Sequence, residues 1–148
     1  MISVKSPVAG RVFPISEAGD PVFAQEIMGP GVAVEPELAW AVVAAPVAGR
    51  LVSLQPHAFA LETADGQGIL VHLGIDTVKL KGKGFGRIAA EGDEVAVGDG
   101  IVEWDPAAIA AGGISATVLV IAVDRPAGSL SDVATGRDAA VGDPLFSV

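Results

Sequence analysis

The 148-residue sequence contains no cysteine and few basic residues. Without cysteine there is no disulfide framework, no thiol nucleophile and no Cys-based zinc site. Nine Lys and Arg against 18 Asp and Glu give a net charge of −9, which argues against nucleic acid or an anionic membrane as the main partner. No apolar run approaches the roughly 18–20 residues of a membrane span, and no signal-peptide pattern is present. We therefore expect a cytoplasmic protein without membrane insertion.

Glycine and proline are abundant, and strand-length apolar runs lie between them. The sequence has 19 Gly and 10 Pro and is 51% hydrophobic, as expected of one globular domain over residues 1–148. We expect strands over Ser6–Phe13 and Thr77–Leu80, a doubly buried strand over Thr117–Val123, and a short helical turn or a strand over Val22–Met28. Asp105–Gly112 has an N-cap aspartate, a proline in the first position and a final glycine, which predict a helix.

Two phrases occur twice. Ala45–Leu51 repeats Ser6–Val12, and Ala140–Phe146 resembles Ala96–Val102. Repeated supersecondary units change the expected architecture, and two copies of each are too few for a solenoid. The sequence therefore predicts an all-β fold, an antiparallel β-sandwich or barrel with internally duplicated β-units and one or two short helices.

The two histidines, His57 and His72, flank a predicted hairpin turn at Asp65-Gly66. A loop of two or four residues would place Phe59 opposite His72, and His57 opposite Gly74. The histidines would then be diagonal neighbours on one face, about 7–8 Å apart at the backbone. An odd-length loop would instead place them on opposite faces. The hypothesis of a paired-histidine site therefore depends on the turn.

Several functions suit such a pair. Neutral imidazole has one lone-pair nitrogen near physiological pH and can accept and release a phosphoryl group. An apolar face carrying Phe59, Leu61 and Leu70 would suit docking of a protein partner. A zinc-dependent hydrolase, or a metal-binding β-domain using His57 and His72, would need three or four ligands, and only Asp76 offers another. A biotinyl- or lipoyl-type carrier domain, suggested by Glu91–Asp99, a regulatory binder and histidines that merely hydrogen-bond within a sheet are further alternatives.

The segment from Gly66 to Val78 resembles the phosphorylation-site signature of the glucose-type enzyme IIA (EIIA) family of the bacterial phosphoenolpyruvate:sugar phosphotransferase system. Other phrases similar to the family are Ser6–Gly10, Asp20–Ala24, Ala45–Gly49, His57–Phe59, Leu80–Phe85 and Val141–Asp143. The resemblance implies a β-sandwich and a cytoplasmic phosphocarrier without a cofactor. Such a protein takes phosphate from phospho-HPr and gives it to a cysteine of the IIB domain of a permease for glucose, N-acetylglucosamine or a related sugar. The absence of a linker toward IIB or IIC segments favours a free-standing subunit.

By position, the resemblance makes His72 the phosphoacceptor and His57 its stabilising partner, with Gly74 and Asp76 in support. Gln55 stands where the family commonly has threonine, and its amide is expected to hydrogen-bond the His57 ring. In a complex, His57 and His72 could also bridge a zinc ion. Asp20 and Asp76 would meet an arginine of HPr. The expected partner-binding residues are Asp20, Val22, Phe23, Ile27, Met28, Phe59, Leu70 and Val78.

Overall fold

Short antiparallel strands form most of the ordered elements, and the computed structural model describes residues 1–148. The strands are β1 (Ser3–Lys5), β2 (Gly10–Pro14), β3 (Gly31–Pro36), β4 (Ala41–Ala44), β5 (Gly49–Gln55), β6 (Ala58–Glu62), β7 (Gly68–Leu73), β8 (Phe85–Arg87), β9 (Glu94–Val95), β10 (Gly100–Trp104), β11 (Val118–Ala122), β12 (Asp138–Ala139) and β13 (Pro144–Ser147). The helices are α1 (Pro21–Ala24) and α2 (Pro106–Ala111), and Ile15–Glu17 and Thr77–Leu80 form 3₁₀ turns. This architecture confirms the predicted all-β fold with two short helices. None of the helices is long and apolar enough to cross a bilayer.

An eight-stranded sheet in the order β12-β2-β3-β11-β7-β6-β5-β9 forms one layer of the sandwich. A three-stranded sheet, β4-β10-β8, and the pair β1-β13 complete the structure. A cluster of 26 buried residues forms the main core, with Trp104, Phe59 and Phe146 among its largest side chains. The outer face of the large sheet carries a second cluster of five buried residues, to which Leu119 and Ile121 belong. Strand β11 is therefore buried on both faces, as predicted.

The large sheet is built from two copies of one strand plan. The strands met from one end of the sheet are β12, β2, β3 and β11. From the other end they are β9, β5, β6 and β7, and each corresponds in this order to a strand of the first set. The register agrees, because Arg11 on β2 faces Asp138 on β12, and Arg50 on β5 faces Glu94 on β9. The duplicated phrases seen in the sequence are therefore two related halves of one sheet.

Reciprocal hydrogen bonds join the two copies of the first phrase. The amide of Lys5 donates to the Pro46 carbonyl over 2.9 Å, and the amide of Ala44 donates to the Pro7 carbonyl over 3.0 Å. The two copies of the second phrase form similar turns. The amide of Ala96 donates to an Asp99 carboxylate oxygen, and the amide of Ala140 donates to an Asp143 carboxylate oxygen, each over 2.9 Å. These Asp side chains satisfy backbone donors within each turn and fix its shape.

Four local expectations were tested by this fold. The helix at Asp105–Gly112 is confirmed, and the Asp105 side chain accepts from the Ala108 amide over 3.2 Å. The strand expected over Ser6–Phe13 is confirmed only from Gly10 onward, where β2 begins, because Ser6 to Ala9 form the bend between β1 and β2. The strand expected over Thr77–Leu80 is also wrong. The Thr77 hydroxyl bonds back to the Leu73 carbonyl, and Asp76 adopts a left-handed conformation (φ 62°), so the chain curls into a 3₁₀ turn. At Val22–Met28 the chain takes the helical option over Pro21–Ala24.

Candidate functional site

The hairpin of β6 and β7 has a different register from the one expected. Ala58, not Phe59, lies opposite His72. The amide of Thr63 donates to the Gln67 carbonyl over 3.0 Å, which leaves the odd number of residues from Ala64 to Gly66 in the loop. Gly66 takes the left-handed conformation (φ 87°) typical of a three-residue hairpin loop. The expected even-length loop, and the facing pairs derived from it, were therefore wrong.

His57 nevertheless lies beside His72. It is not in a strand but in the two-residue turn Pro56-His57 that joins β5 to β6. Its carbonyl accepts from the Leu73 amide over 2.7 Å, which fixes the turn against the end of β7. The ring centroids of His57 and His72 are 5.3 Å apart and the rings meet edge to face at 74°. The alternation rule for strands does not govern a turn residue, so both imidazoles share the outer face.

The protonation of the His72 ring follows from its hydrogen bond. Nδ1 lies 2.6 Å from the carbonyl oxygen of Gly74. A carbonyl oxygen only accepts, so Nδ1 carries the proton and donates it. The other ring nitrogen, Nε2, therefore holds the lone pair. Nε2 is the nucleophilic atom of this ring.

Gly74 is where β7 ends, and glycine is required there. Its φ of +82° is left-handed, and a Cβ would clash with the Thr77 methyl group and lie 2.7 Å from the Ser115 carbonyl oxygen. The resulting bend turns the Gly74 carbonyl back toward the ring of His72. The expectation that Gly74 supports the site therefore gains a specific geometry.

Both histidines are shifted toward the neutral form. Burial lowers the pKa of His72 below its ordinary value, and the neighbouring His57 lowers it further; the Gly74 hydrogen bond and the charges of Asp20 and Asp76 act in the opposite direction. Burial also lowers the pKa of His57. Two neutral imidazoles at pH 7 give one nucleophilic nitrogen and one adjacent ring able to donate an N–H.

The expected docking residues fall into two groups. Phe23 packs on His72 with ring centroids 5.2 Å apart, and Leu70 is half-buried on the same face of the sheet as His72. Helix α1 positions Phe23, and the Asp20 carboxylate caps this helix by accepting from the Val22 amide over 2.9 Å. Four other apolar side chains are well exposed: Val22 (47%), Ile27 (67%), Met28 (38%) and Val78 (61%). Asp76 is exposed and Asp20 is half-buried.

Phe59 and Leu61 are not on this face. Their exposures are 1% and 0%, because the register places them on the core side of β6. The interpretation of Phe59 and Leu61 as part of an apolar site face was therefore wrong, and small Ala58 and Ala60 occupy it instead.

Gln55 reaches the outer face but makes no hydrogen bond to either imidazole. It lies opposite Ala58, which lies opposite His72. One strand therefore separates Gln55 from His72. The amide–ring hydrogen bond expected for Gln55 is absent from this structure.

No three His, Cys, Asp or Glu side chains are grouped to hold a metal ion. Asp76 does not complete a ligand set with the histidines, so the zinc-hydrolase alternative lacks the ligands that it needs.

Gly74 was expected to support the site, but the role of its carbonyl and the contribution of a second segment were missed from the sequence. The Gly74 carbonyl and the segment from Ser115 to Thr117, which binds the Gly74 and Ile75 amides, act through the backbone. Backbone carbonyls have no residue-type signal, and Ser115 lies 40 or so positions from the loop that it holds. Only the glycine two residues after His72, Gly74, was a local indication of such a bend.

Comparison with known proteins gives a consistent result. Residues 2–127 match the family model described as phosphoenolpyruvate-dependent sugar phosphotransferase system, EIIA 1. The chain is 44% identical over 110 residues to the PTS system glucose-specific EIIA component of Oceanobacillus iheyensis, covering 73% of this chain and 66% of that protein. It is 45% identical over 105 residues to the N-acetylglucosamine-specific EIICBA component of Klebsiella pneumoniae, covering 70% of this chain and 16% of that protein.

A solved structure supports the same relationship. The glucose permease IIA from Mycoplasma capricolum superposes with a TM-score of 0.89 at 33% identity, covering 98% of this chain and 94% of that one. The aligned regions span less than two thirds of the curated relatives, 66% and 59% of two EIIA components.

Proposed function

This chain belongs to the EIIA 1 family of the phosphoenolpyruvate-dependent sugar phosphotransferase system, and we propose that it is a phosphocarrier that holds a phosphoryl group on Nε2 of His72. The observation that carries the proposal is the 2.6 Å hydrogen bond from Nδ1 to the Gly74 carbonyl. This bond leaves Nε2 as the nucleophile. Residues 1–148 would act as a single EIIA domain in the cytoplasm.

In the proposed transfer, the Nε2 lone pair attacks the phosphorus atom of the phosphorylated donor. A new N–P bond forms, the bond between phosphorus and the donor atom breaks, and that electron pair returns to the donor. The Nδ1 proton stays in its hydrogen bond, so no base is needed. The ring gains positive charge, which the Gly74 carbonyl dipole stabilises. The same charge makes the imidazole a good leaving group in the next transfer.

His57 would stabilise the transferred group. Its ring lies 5.3 Å from that of His72, centroid to centroid. A phosphoryl group in transit spreads negative charge over three oxygens, and catalysis of its transfer is mainly positioning and electrostatic stabilisation. An N–H of His57 directed at one of these oxygens supplies such a donor.

The partners would be HPr as donor and the IIB domain of a sugar permease as acceptor. The side chains of Val22, Ile27, Met28 and Val78 are apolar and exposed. The carboxylates that act on His72, Asp20 and Asp76, carry the opposite charge to an arginine. Apolar contact with a charged rim is a common composition for a transient protein interface. The related EIICBA proteins carry their components in one longer chain, which supports a IIB acceptor.

Phosphorylation in a reconstituted system tests the proposal. Incubation with phosphoenolpyruvate, enzyme I and HPr should add one acid-labile phosphate to the wild-type chain, detected by mass and by ³¹P NMR. His72→Ala should accept none. Retention of the label by folded His72→Ala protein would refute the assignment.

A further inference from the structure

The Gly74 carbonyl, which accepts from Nδ1 of His72, is held in place through the peptide group between Gly74 and Ile75. The Gly74 carbonyl and the Ile75 amide share one planar trans peptide, so they point in opposite directions. The Ile75 amide donates to the Ser115 carbonyl over 3.0 Å. With the amide end fixed on Ser115, the carbonyl end is directed at the ring of His72.

The preceding peptide is held at both ends as well. The Leu73 carbonyl accepts from the Thr77 hydroxyl over 2.7 Å, and the Gly74 amide donates to the Thr117 carbonyl over 2.9 Å. Thr77 is completely buried, and its methyl group lies where a Cβ of residue 74 would stand. Its hydroxyl therefore has no water to bond to, and the Leu73 carbonyl is its partner.

The Ser115–Thr117 segment is anchored from the neighbouring strand. Thr117 is buried (5% exposed), and its hydroxyl donates to Oε2 of Glu35 over 3.0 Å and accepts from the Ser115 hydroxyl over 3.1 Å. A hydrogen bond to a carboxylate is stronger than one between neutral groups. Glu35 on β3 thus fixes the segment that fixes Gly74.

We propose that Thr77 and Thr117 are positioning residues for His72. By holding the two peptides around Gly74, they keep its carbonyl on Nδ1, the proton on Nδ1 and the lone pair on Nε2. Neither residue touches the phosphoryl group. The effect on phosphate transfer rests on the phosphocarrier function proposed above, whereas the tautomer is a property of the free protein.

Thr77→Val is the sharpest variant, because it removes the hydroxyl and keeps the volume. Thr77→Ser keeps the hydroxyl and should restore the wild-type behaviour. Thr63→Val is the matched control: the Thr63 hydroxyl also bonds within a turn of this hairpin, but at the far end of β7. Thr117→Val tests the second anchor.

The first measurement is imidazole ¹⁵N NMR of the free protein at pH 8. We expect a single Nδ1–H tautomer for His72 in the wild type, Thr77→Ser and Thr63→Val, and a mixture of tautomers in Thr77→Val and Thr117→Val. The second measurement is the rate and position of phosphorylation by phospho-HPr. Thr77→Val should react about tenfold to a hundredfold more slowly and should carry part of its phosphate on Nδ1.

A single Nδ1–H tautomer in a folded Thr77→Val protein, with only its thermal stability reduced, would overturn the proposal and leave a structural role for Thr77. If Thr77→Val does not fold, the tautomer of Thr117→Val decides in the same way. Failure of the wild type to accept phosphate would refute the proposed function, but the tautomer measurement would still judge the positioning.

Discussion

The two halves of the large sheet follow one hydrogen-bonding plan at the ends of their central strands. In one half the Leu73 amide donates to the His57 carbonyl over 2.7 Å, and in the other the Ala122 amide donates to the Pro30 carbonyl over 2.9 Å. Proline therefore occupies the place of His57 in the second half. Pro30 has a carbonyl to keep the strand pairing and no side-chain polar group.

His72 and Ile121 correspond in the same way, since His72 directly precedes Leu73 and Ile121 directly precedes Ala122. Both lie on the outer face of the sheet, where His72 faces Leu119 and Ile121 faces Leu70. Ile121 is completely buried in the small outer cluster, whereas His72 is partly open beside Phe23. A buried apolar side chain therefore fills one of these positions, and a partly open imidazole fills the other.

The carbonyls that follow also differ in their partners. His72 donates to the Gly74 carbonyl, and the equivalent Val123 carbonyl accepts from Nε2 of the Gln67 side chain over 3.1 Å. An amide has a fixed donor, whereas an imidazole can exchange its proton between two nitrogens. The same backbone end therefore meets a fixed side-chain donor in one half and the ring of the proposed phosphoacceptor in the other.

The largest difference should appear when both central positions are truncated. His72→Ala should lose all phosphorylation while its free energy of unfolding changes by about 1 kcal/mol, the scale of one hydrogen bond. Ile121→Ala should remain phosphorylated, but its free energy of unfolding should fall by about 2–5 kcal/mol because a cavity forms in the outer cluster. Denaturant titration and phosphate incorporation measure the two effects. Equal destabilisation by both variants would show that the two positions do not differ in their contribution to stability.

The next largest difference is expected between the turn residues His57 and Pro30, in the rate of phosphate transfer to IIB. His57→Ala should still accept phosphate but pass it to IIB about a hundredfold more slowly, the scale of one lost donor in transfer. Pro30→Ala, its counterpart, should transfer normally. The measurement is single-turnover transfer from the phosphorylated chain to IIB. Normal onward transfer by His57→Ala would eliminate the proposed role of this ring.

A side chain at Gly74 should be costly, although Val123 carries one at the equivalent place. Gly74→Ala places a Cβ against Thr77 and the Ser115 carbonyl in a left-handed residue, and such strain costs about 1–3 kcal/mol. We expect a lower midpoint of thermal unfolding and slower phosphorylation. Val123→Ala is the control, for which phosphorylation should be unchanged. An unaltered midpoint for Gly74→Ala would contradict the strained geometry.

The smallest effect concerns pH. Because burial lowers the pKa of His72, the folded protein binds fewer protons than the unfolded chain between that pKa and about 6.5, the ordinary value for histidine. Stability from this group is therefore complete above about pH 6.5 and is lost as the pH falls toward the folded pKa. Phe23→Ala should raise the pKa of His72, since it exposes the ring. An NMR titration of the ring protons checks this, and a pKa unchanged by Phe23→Ala would show that other groups bury it.

Some of these features could be predicted from the sequence and others could not. The duplicated phrases and regular apolar runs indicated a two-part β-sandwich, and Asp105 and Gly112 marked a helix. The predicted register of the β6–β7 hairpin was wrong, because the loop that contains Gly66 has three residues. A change of one residue in loop length gives every residue of the hairpin a different partner and moves the side chains of one strand to the other face. Phe59 was consequently assigned to the wrong side of its strand.

The candidate site was predicted in composition but not in geometry. His57 and His72 were expected together because of strand alternation, yet it is the Pro56-His57 turn that brings them together. The Gly74 bond that selects Nε2 depends on amides held by Ser115 and Thr117, and contacts between residues so distant in sequence leave no local pattern. Helix α1 is another example, since its four residues are stabilised by the Asp20 cap and by packing of Phe23 on the imidazole.

The pairing of β1 with β13 has a consequence for how such a domain is joined to others. The Ile2 amide donates to the Val148 carbonyl over 2.6 Å, and the Val148 amide donates back over 2.9 Å, so both ends of the chain leave the sandwich side by side. A polypeptide fused at either end therefore starts from the same corner of the domain. Linking the two ends and opening the chain at an exposed turn such as Ala64–Gly66 would preserve every strand. The order of domains along a longer polypeptide can change while the tether length to the histidines stays nearly constant.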